Sequence, residues 1–169
     1  MIPPSPWVVR HLALVPANGQ ILDLACGGGR HVRLLAAQGR EVLAVDRDRS
    51  ALAGLQELPG VTVLAADLES GDWPLAGQRF AGIIVTNYLW RPRLPDICAL
   101  LAPGGFLIYE TFMVGNEAYG KPSNPDFLLR SEELRDVARA AGLREIAFAE
   151  GYVETPKPAL RQAICAVRD

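Results

Sequence analysis

Cysteine is scarce in this chain: Cys26, Cys98 and Cys165 are its three thiols, widely separated and none in a CxxC pair. That spacing argues against a disulfide framework or a zinc centre, so reduced thiols, a cytoplasmic setting and no metal are expected. A large excess of one charge is lacking too. Seventeen basic against 19 acidic side chains leave a formal net charge of -2, which removes the broad attraction to phosphate backbones behind nonspecific nucleic-acid binding. Met1-Ile2-Pro3-Pro4-Ser5-Pro6 has neither the basic start nor the apolar run of a signal peptide, and no stretch holds the roughly 18 uninterrupted apolar residues of a membrane span. Repeats and low-complexity tracts are missing as well, and histidine is limited to the isolated His11 and His31.

Half of the residues are hydrophobic and about a fifth are charged, an ordinary globular composition with enough apolar material for a sizeable core. A length of 169 residues fits one domain over 1–169. Short runs rich in Val, Ile and Leu at Gln20 to Ala25, Glu41 to Val45, Val61 to Ala66, Phe80 to Thr86 and Gly105 to Tyr109 read as buried strands. Helical spacing is found over Trp7 to Val15 within a short N-terminal segment (1–18), Arg30 to Gln38, Arg49 to Leu58, Leu94 to Leu101 and Leu134 to Ala141. For the last helix, Ser131 is the expected cap, Glu132 and Glu133 supply first-turn acids and Gly142 is the stop. Glu145 to Ala149 and Gln162 to Val167 read as a closing pair of strands.

Strand and helix alternating in this order require right-handed crossovers and a doubly wound α/β fold. The expectation is a mostly parallel seven-stranded sheet with helices on both faces and an antiparallel last strand. Ligands of such sheets bind at the carboxyl ends of the strands, where the strand order reverses. The loops after each strand are therefore the places to look for function.

After the first strand comes Asp23-Leu24-Ala25-Cys26-Gly27-Gly28-Gly29-Arg30-His31. Glycines here allow positive φ and close approach of main chain to a ligand, and the following helix start offers free N–H groups. Asp23 is a carboxylate in an otherwise apolar strand and needs a partner to offset its desolvation. Asp46 ends the second strand, 19 residues after Gly27, a separation that brings an acid beside a ribose. Asp67, followed by Leu68, ends the third strand and can meet an adenine edge. Asp46 or Asp67 alone reads as a helix-capping or solvated loop acid; three acids at consecutive strand ends, with the glycine turn between two of them, do not.

Asp-Leu-Ala-Cys-Gly-Gly-Gly-Arg resembles the first motif of the class I S-adenosylmethionine-dependent methyltransferases, with Ala25 where glycine is commoner. The resemblance covers roughly residues 17 to 111 and includes Pro103-Gly104-Gly105 as the turn before the fifth strand. It implies S-adenosylmethionine as cofactor, bound by Asp23, Ala25, Gly27, Gly29, Asp46, Arg47, Asp67 and Leu68. A dinucleotide-binding oxidoreductase would carry its third glycine at Val32, and its pyrophosphate would be repelled by Asp23. Length and tail, including Phe127 to Leu134, are similar to the small tellurite-resistance and thiopurine methyltransferases.

Methyl transfer to a small-molecule acceptor is the implied reaction. Its demand is mainly orientation, with a proton acceptor within about 3 Å only if the nucleophile is a hydroxyl. Thr86-Asn87-Tyr88-Leu89-Trp90 and Glu110-Thr111-Phe112 supply the candidates, Asn87 and Tyr88 as the catalytic pair and Trp90 as an apolar wall. The Asn-Pro-Pro-aromatic pattern of nucleic-acid amino methyltransferases is missing. Arg91, Arg93, Lys121, Arg130 and Arg161 stand near loops at the active end and can gather an anionic substrate, although solvated surface charge is the commoner fate of any one of them. The connection at 112–130, with Gly115, Gly120, Pro122 and Pro125, is long enough to be a substrate lid. A noncatalytic S-adenosylmethionine-binding module and an RNA methyltransferase are the competing functions; nothing in the sequence speaks to oligomeric state.

Overall fold

The apolar runs assemble into one seven-stranded sheet, described here over residues 2–169 of a computed structural model. Its strands are β1 (Ile21–Leu24), β2 (Val42–Asp46), β3 (Val61–Ala65), β4 (Phe80–Thr86), β5 (Leu101–Phe112), β6 (Arg144–Val153) and β7 (Ala159–Val167). Their order is β3-β2-β1-β4-β5-β7-β6. The first five are mutually parallel, and β7 is antiparallel to both of its neighbours. Strand order reverses between β1 and β4, so their carboxyl ends open the crevice in which such sheets bind ligands.

Alternation along the strands sorts the side chains onto two faces. Leu22, Leu24, Leu43, Val45, Ile83, Val85, Leu107 and Tyr109 form one core with α4 (Leu94–Ala99) and α5 (Glu133–Ala140). Ile21, Val42, Ala44, Ile84, Ile108 and Cys165 form the other with α1 (Pro6–His11), α2 (Arg30–Ala37) and α3 (Arg49–Ala53). By the same parity Asp23, Glu110 and Arg161 belong to the α1 and α2 side of the sheet.

Several element boundaries differ from those expected. Strand β5 begins at Leu101 and continues through Thr111 to Phe112, because Leu101 pairs with Phe80 and residues 106–112 pair with β7; tertiary pairing overrides the Pro-Gly-Gly signal. Helix α3 ends at Ala53, and its start is capped by the Asp48 carboxylate, which accepts from the Ser50 and Ala51 amides. The N-terminal helix is α1 followed by a 3-10 turn at Leu12–Leu14.

Ser131 does not cap α5. Glu132 occupies that position at φ 59°, and the Ser131 hydroxyl donates to Glu150 instead. Glu133 is buried rather than solvated, accepting two bonds from Arg91 and one from the Arg130 amide. Those partners hold its carboxyl below the usual range against the burial that raises it.

The 112–130 connection is tied at both ends. Met113 bridges Leu129, and the buried Asn116 side chain donates to Pro122 O and accepts from Leu160 N–H. Its outer part, 117–127, is exposed apart from a half-buried Pro122.

Candidate functional site

Ala25, Asp46, Arg47, Ala66, Asp67, Leu68, Glu69, Asn87 and Tyr88 line a cavity of about 260 Å³ at the carboxyl ends of β1 to β4. Seven of the ten residues singled out from the sequence thus meet around one crevice. The other three, Asp23, Gly27 and Gly29, frame it from the β1 turn.

That turn folds tightly because three residues adopt left-handed backbone: Ala25 at φ 55°, Gly27 at φ 55° and Gly29 at φ 80°. For Ala25 the conformation is strained by its Cβ, which gives a conformational reason why glycine suits this place. A side chain added at Gly27 would meet nothing within 4 Å, whereas one at Gly29 would lie 2.5 Å from Leu55 Cδ2. Gly27 therefore leaves open space for a ligand, and Gly29 serves the packing of α2 against the chain below.

Asp46 holds the turn in place. Its Oδ2 accepts from Gly27 N–H at 2.8 Å and its Oδ1 from Asp48 N–H at 2.9 Å. Each carboxylate oxygen has a second lone pair, so both remain able to accept from a ligand's hydroxyls. Asp67 is similar: Oδ1 accepts from Glu69 N–H at 2.9 Å and Oδ2 from Ser70 Oγ at 2.7 Å. These bonds hold the Asp67 carboxyl below its ordinary pKa, so it stays ionised.

Asp23 is the unusual member. It is 1% exposed, and its Oδ2 has no hydrogen-bond partner among the described residues. Burial pushes its pKa up to about 8, with Arg30 pulling it down and Asp46 adding to the rise. An orphaned buried carboxyl is costly, and it lies beneath the turn where a cationic group would relieve it. The neighbouring Cys26 thiol is raised above its ordinary range by burial, then by Asp23 and Asp46.

On the β4 side, Asn87 is held at φ 57°, and its Oδ1 accepts from Arg161 Nη2 at 2.7 Å. Tyr88 has a buried hydroxyl without a partner, and burial, followed by the Glu69 carboxylate, pushes its phenol above the ordinary range. The phenol stays protonated at neutral pH and keeps its donor. Tyr109 donates to Tyr88 O at 2.7 Å and fixes this segment from below.

Sequence reasoning missed the strap that closes the end of the sheet. Ser5 is 3% exposed; its N–H donates to His31 Nε2 at 3.0 Å and its hydroxyl to Glu110 Oε1 at 2.7 Å. Arg30 Nη1 donates to Pro3 O at 2.9 Å. Burial and then Arg30 lower the His31 pKa to about 4, so the ring is neutral at pH 7 and accepts the Ser5 amide. Ser5-Pro6 is legible as a helix start, but its partners lie 26 and 105 residues away. Trp90 is half-buried and precedes the 3-10 turn at Arg91–Arg93.

Known proteins resemble this chain in sequence and in fold. The family profile described as "Methyltransferase domain" matches residues 21–105, half of the chain. A probable S-adenosylmethionine-dependent methyltransferase of Mycobacterium tuberculosis is 29% identical over 161 residues, covering 84% of this chain and 57% of that protein. Trans-aconitate 2-methyltransferase of Methylobacterium nodulans is 35% identical over 109 residues, covering 59% of this chain and 41% of that protein. The chain thus spans roughly half the length of these curated relatives. TehB from Haemophilus influenzae superposes with a TM-score of 0.77 at 18% identity, over 96% of this chain and 61% of that one, a likeness of fold. With the strand order, the glycine turn and a matching profile in agreement, the chain belongs to the S-adenosylmethionine-dependent methyltransferase family of class I fold.

Proposed function

We propose that this chain binds S-adenosylmethionine in the crevice between β1 and β4 and transfers its methyl group to a small-molecule acceptor. The observation that carries the reading is the orphaned Asp23 carboxyl beneath an open glycine turn, with Asp46 and Asp67 at the next two strand ends. In this reading Asp46 holds the ribose hydroxyls with its spare lone pairs. Asp67 and Leu68 border the adenine, with Arg47 beside them. Ala25, Gly27 and Gly29 shape the turn against the amino-acid end, and Asp23 answers its ammonium group.

The bound cofactor supplies a methyl group on an already activated sulfonium, so the protein's share of the work is alignment and exclusion of water. Asn87 and Tyr88 stand where an acceptor would approach. Asn87 is immobilised by Arg161, and the Tyr88 hydroxyl faces the Glu69 carboxylate across the crevice they both line. The 112–130 connection leaves β5 just beyond Glu110 and supports the role of a cover over the acceptor. The named trans-aconitate methyltransferase relative supports a small acceptor. No described helix is long and apolar enough to cross a membrane, and three free cysteines support a cytoplasmic setting.

Calorimetric titration with S-adenosylhomocysteine, followed by labelled-methyl transfer to thiol, amine and oxyanion acceptors, tests the proposal. Binding and transfer are expected. Binding with no transfer to any acceptor would favour a noncatalytic cofactor-binding module, and absence of binding would refute the reading.

A further inference from the structure

Five cations stand near the active end in sequence, and the fold commits three of them elsewhere. Arg91 forks onto Glu133 and donates to the Asp126 and Leu128 carbonyls. Arg93 ties the carbonyls of Leu68 and Gly71 and pairs with Asp96. Arg130 pairs with Glu133, while Lys121 lies on the exposed outer turn of the 112–130 connection.

Arg161 differs from all of these. It sits near the start of β7, and its side chain is only 11% exposed. The guanidinium lies over the Phe112 ring at 4.5 Å from the centroid, donates through Nη2 to Asn87 Oδ1 at 2.7 Å and is 3.3 Å from Glu110 Oε1. Asn87 itself lines the crevice. Glu110 is in turn pinned by the Ser5 hydroxyl. A guanidinium packed against a ring and bonded on one edge has lost most of its rotameric freedom before any ligand arrives.

Its hydrogen bonding is incomplete. Among the described residues, Nε–H and Nη1 have no partner, and neither is sealed from solvent. An ion pair serving only to brace Glu110 has no use for a rigid fork with unspent donors. Burial lowers the Arg161 pKa, Glu110 opposes that shift and Arg30 adds to it, so an added anion would relieve the desolvation of the guanidinium and its repulsion by Arg30. His31, beside the same strap, is neutral at pH 7.

We propose that Arg161 is the anchor for a carboxylate group of the methyl acceptor, which makes the acceptor a small organic acid. This assignment rests on the methyltransferase reading for its place at the acceptor side. The role is recognition: the guanidinium takes the carboxylate by charge-assisted hydrogen bonds through its free donors, while Asn87 and Glu110 keep it in position.

The test follows the Arg161 Nε–H resonance by NMR in the full chain, with and without S-adenosylhomocysteine, during titration with succinate and, separately, succinamide. Succinate is expected to shift the resonance saturably, at an affinity at least about tenfold above that for succinamide, as a charge-assisted pair requires. In Arg161→Met, shifts of neighbouring amides with succinate should vanish, whereas S-adenosylhomocysteine affinity stays within about twofold; Arg161→Lys should recover part of the response, because it keeps charge without the planar fork. Equal shifts with succinamide, no response to succinate up to about 50 mM, or an undiminished response in Arg161→Met would overturn the assignment. Loss of S-adenosylhomocysteine binding in the unaltered protein would instead strike the methyltransferase reading, and the cofactor-free titration separates that failure from this one.

Discussion

In the proposed reading, Asp23 couples cofactor binding to pH in a window far above that of an ordinary aspartate. Burial pushes its carboxyl to about 8, so it is mostly protonated at pH 7 in the free protein, and a ligand ammonium selects the ionised form. Binding then releases a proton. With a free-protein pKa near 8 and a bound value well below 6, affinity rises by roughly 25-fold between pH 6 and pH 7.5, or about 1.9 kcal/mol. This window lies below the point where the ligand's own α-amino group loses its proton, at about pH 8.

Calorimetry with S-adenosylhomocysteine in buffers of different ionisation enthalpy measures both quantities, and about 0.9 proton should be released per site at pH 7. Asp23→Asn should bind more weakly at pH 7.5 and with little pH dependence. The free protein carries the reciprocal sign. Between the ordinary value of 3.8 and about 8 the unfolded chain ionises this carboxyl while the folded one does not. Stability from this group is therefore full below pH 3.8 and lost progressively as pH rises to 8. Asp23→Asn removes that loss, so the variant should melt higher than the unaltered protein at pH 8 while binding its ligand less well. A flat affinity from pH 6 to 7.5 with no proton release would refute the reasoning.

Asp46→Ala removes the acceptor for the Gly27 and Asp48 amides together with the proposed ribose contacts; S-adenosylhomocysteine affinity should fall by about 1.5–3 kcal/mol in a calorimetric titration. Ala25→Gly relieves a left-handed alanine worth about 1–2 kcal/mol, against roughly 0.4–1 kcal/mol of added unfolded-state entropy; thermal denaturation should show a modest gain in stability. Cys98 and Cys165 are pushed by burial to about 11, and Cys26 is raised further still. Thiol titration of the native protein at pH 8 should accordingly find no fast-reacting group, with three appearing on denaturation.

What the sequence discloses is mostly local. Short apolar runs flanked by glycine and acid located β1, β2 and β4 because burial on both faces leaves little else those runs can do, while the more exposed edge strands β3 and β6 show up by their flanking turns and alternation. Asp23 was legible for the same reason, a carboxylate conspicuous in an apolar strand. The ends of β5 were not, since Glu110-Thr111-Phe112 pair with β7 through a register that polar side chains do not advertise. Ser131 looked like a cap until Glu150, 19 residues away, competed for its hydroxyl. The cluster of Ser5, His31, Glu110 and Arg161 joins α1, α2, β5 and β7, and no spacing along the chain encodes such a meeting. Among five plausible cations, only side-chain packing distinguished the buried, fixed one that still has donors to spare.

Ser5 is at once the helix cap of α1, the donor to a buried imidazole and the pin on Glu110. Trimming the protein back to Pro6 would undo all three in a single cut, although it removes nothing that a strand-and-helix diagram marks as essential. Shortening this chain, or grafting a fusion partner directly onto its first helix, would loosen the bracing of Glu110 and, through it, of Arg161, rather than remove a dispensable tail.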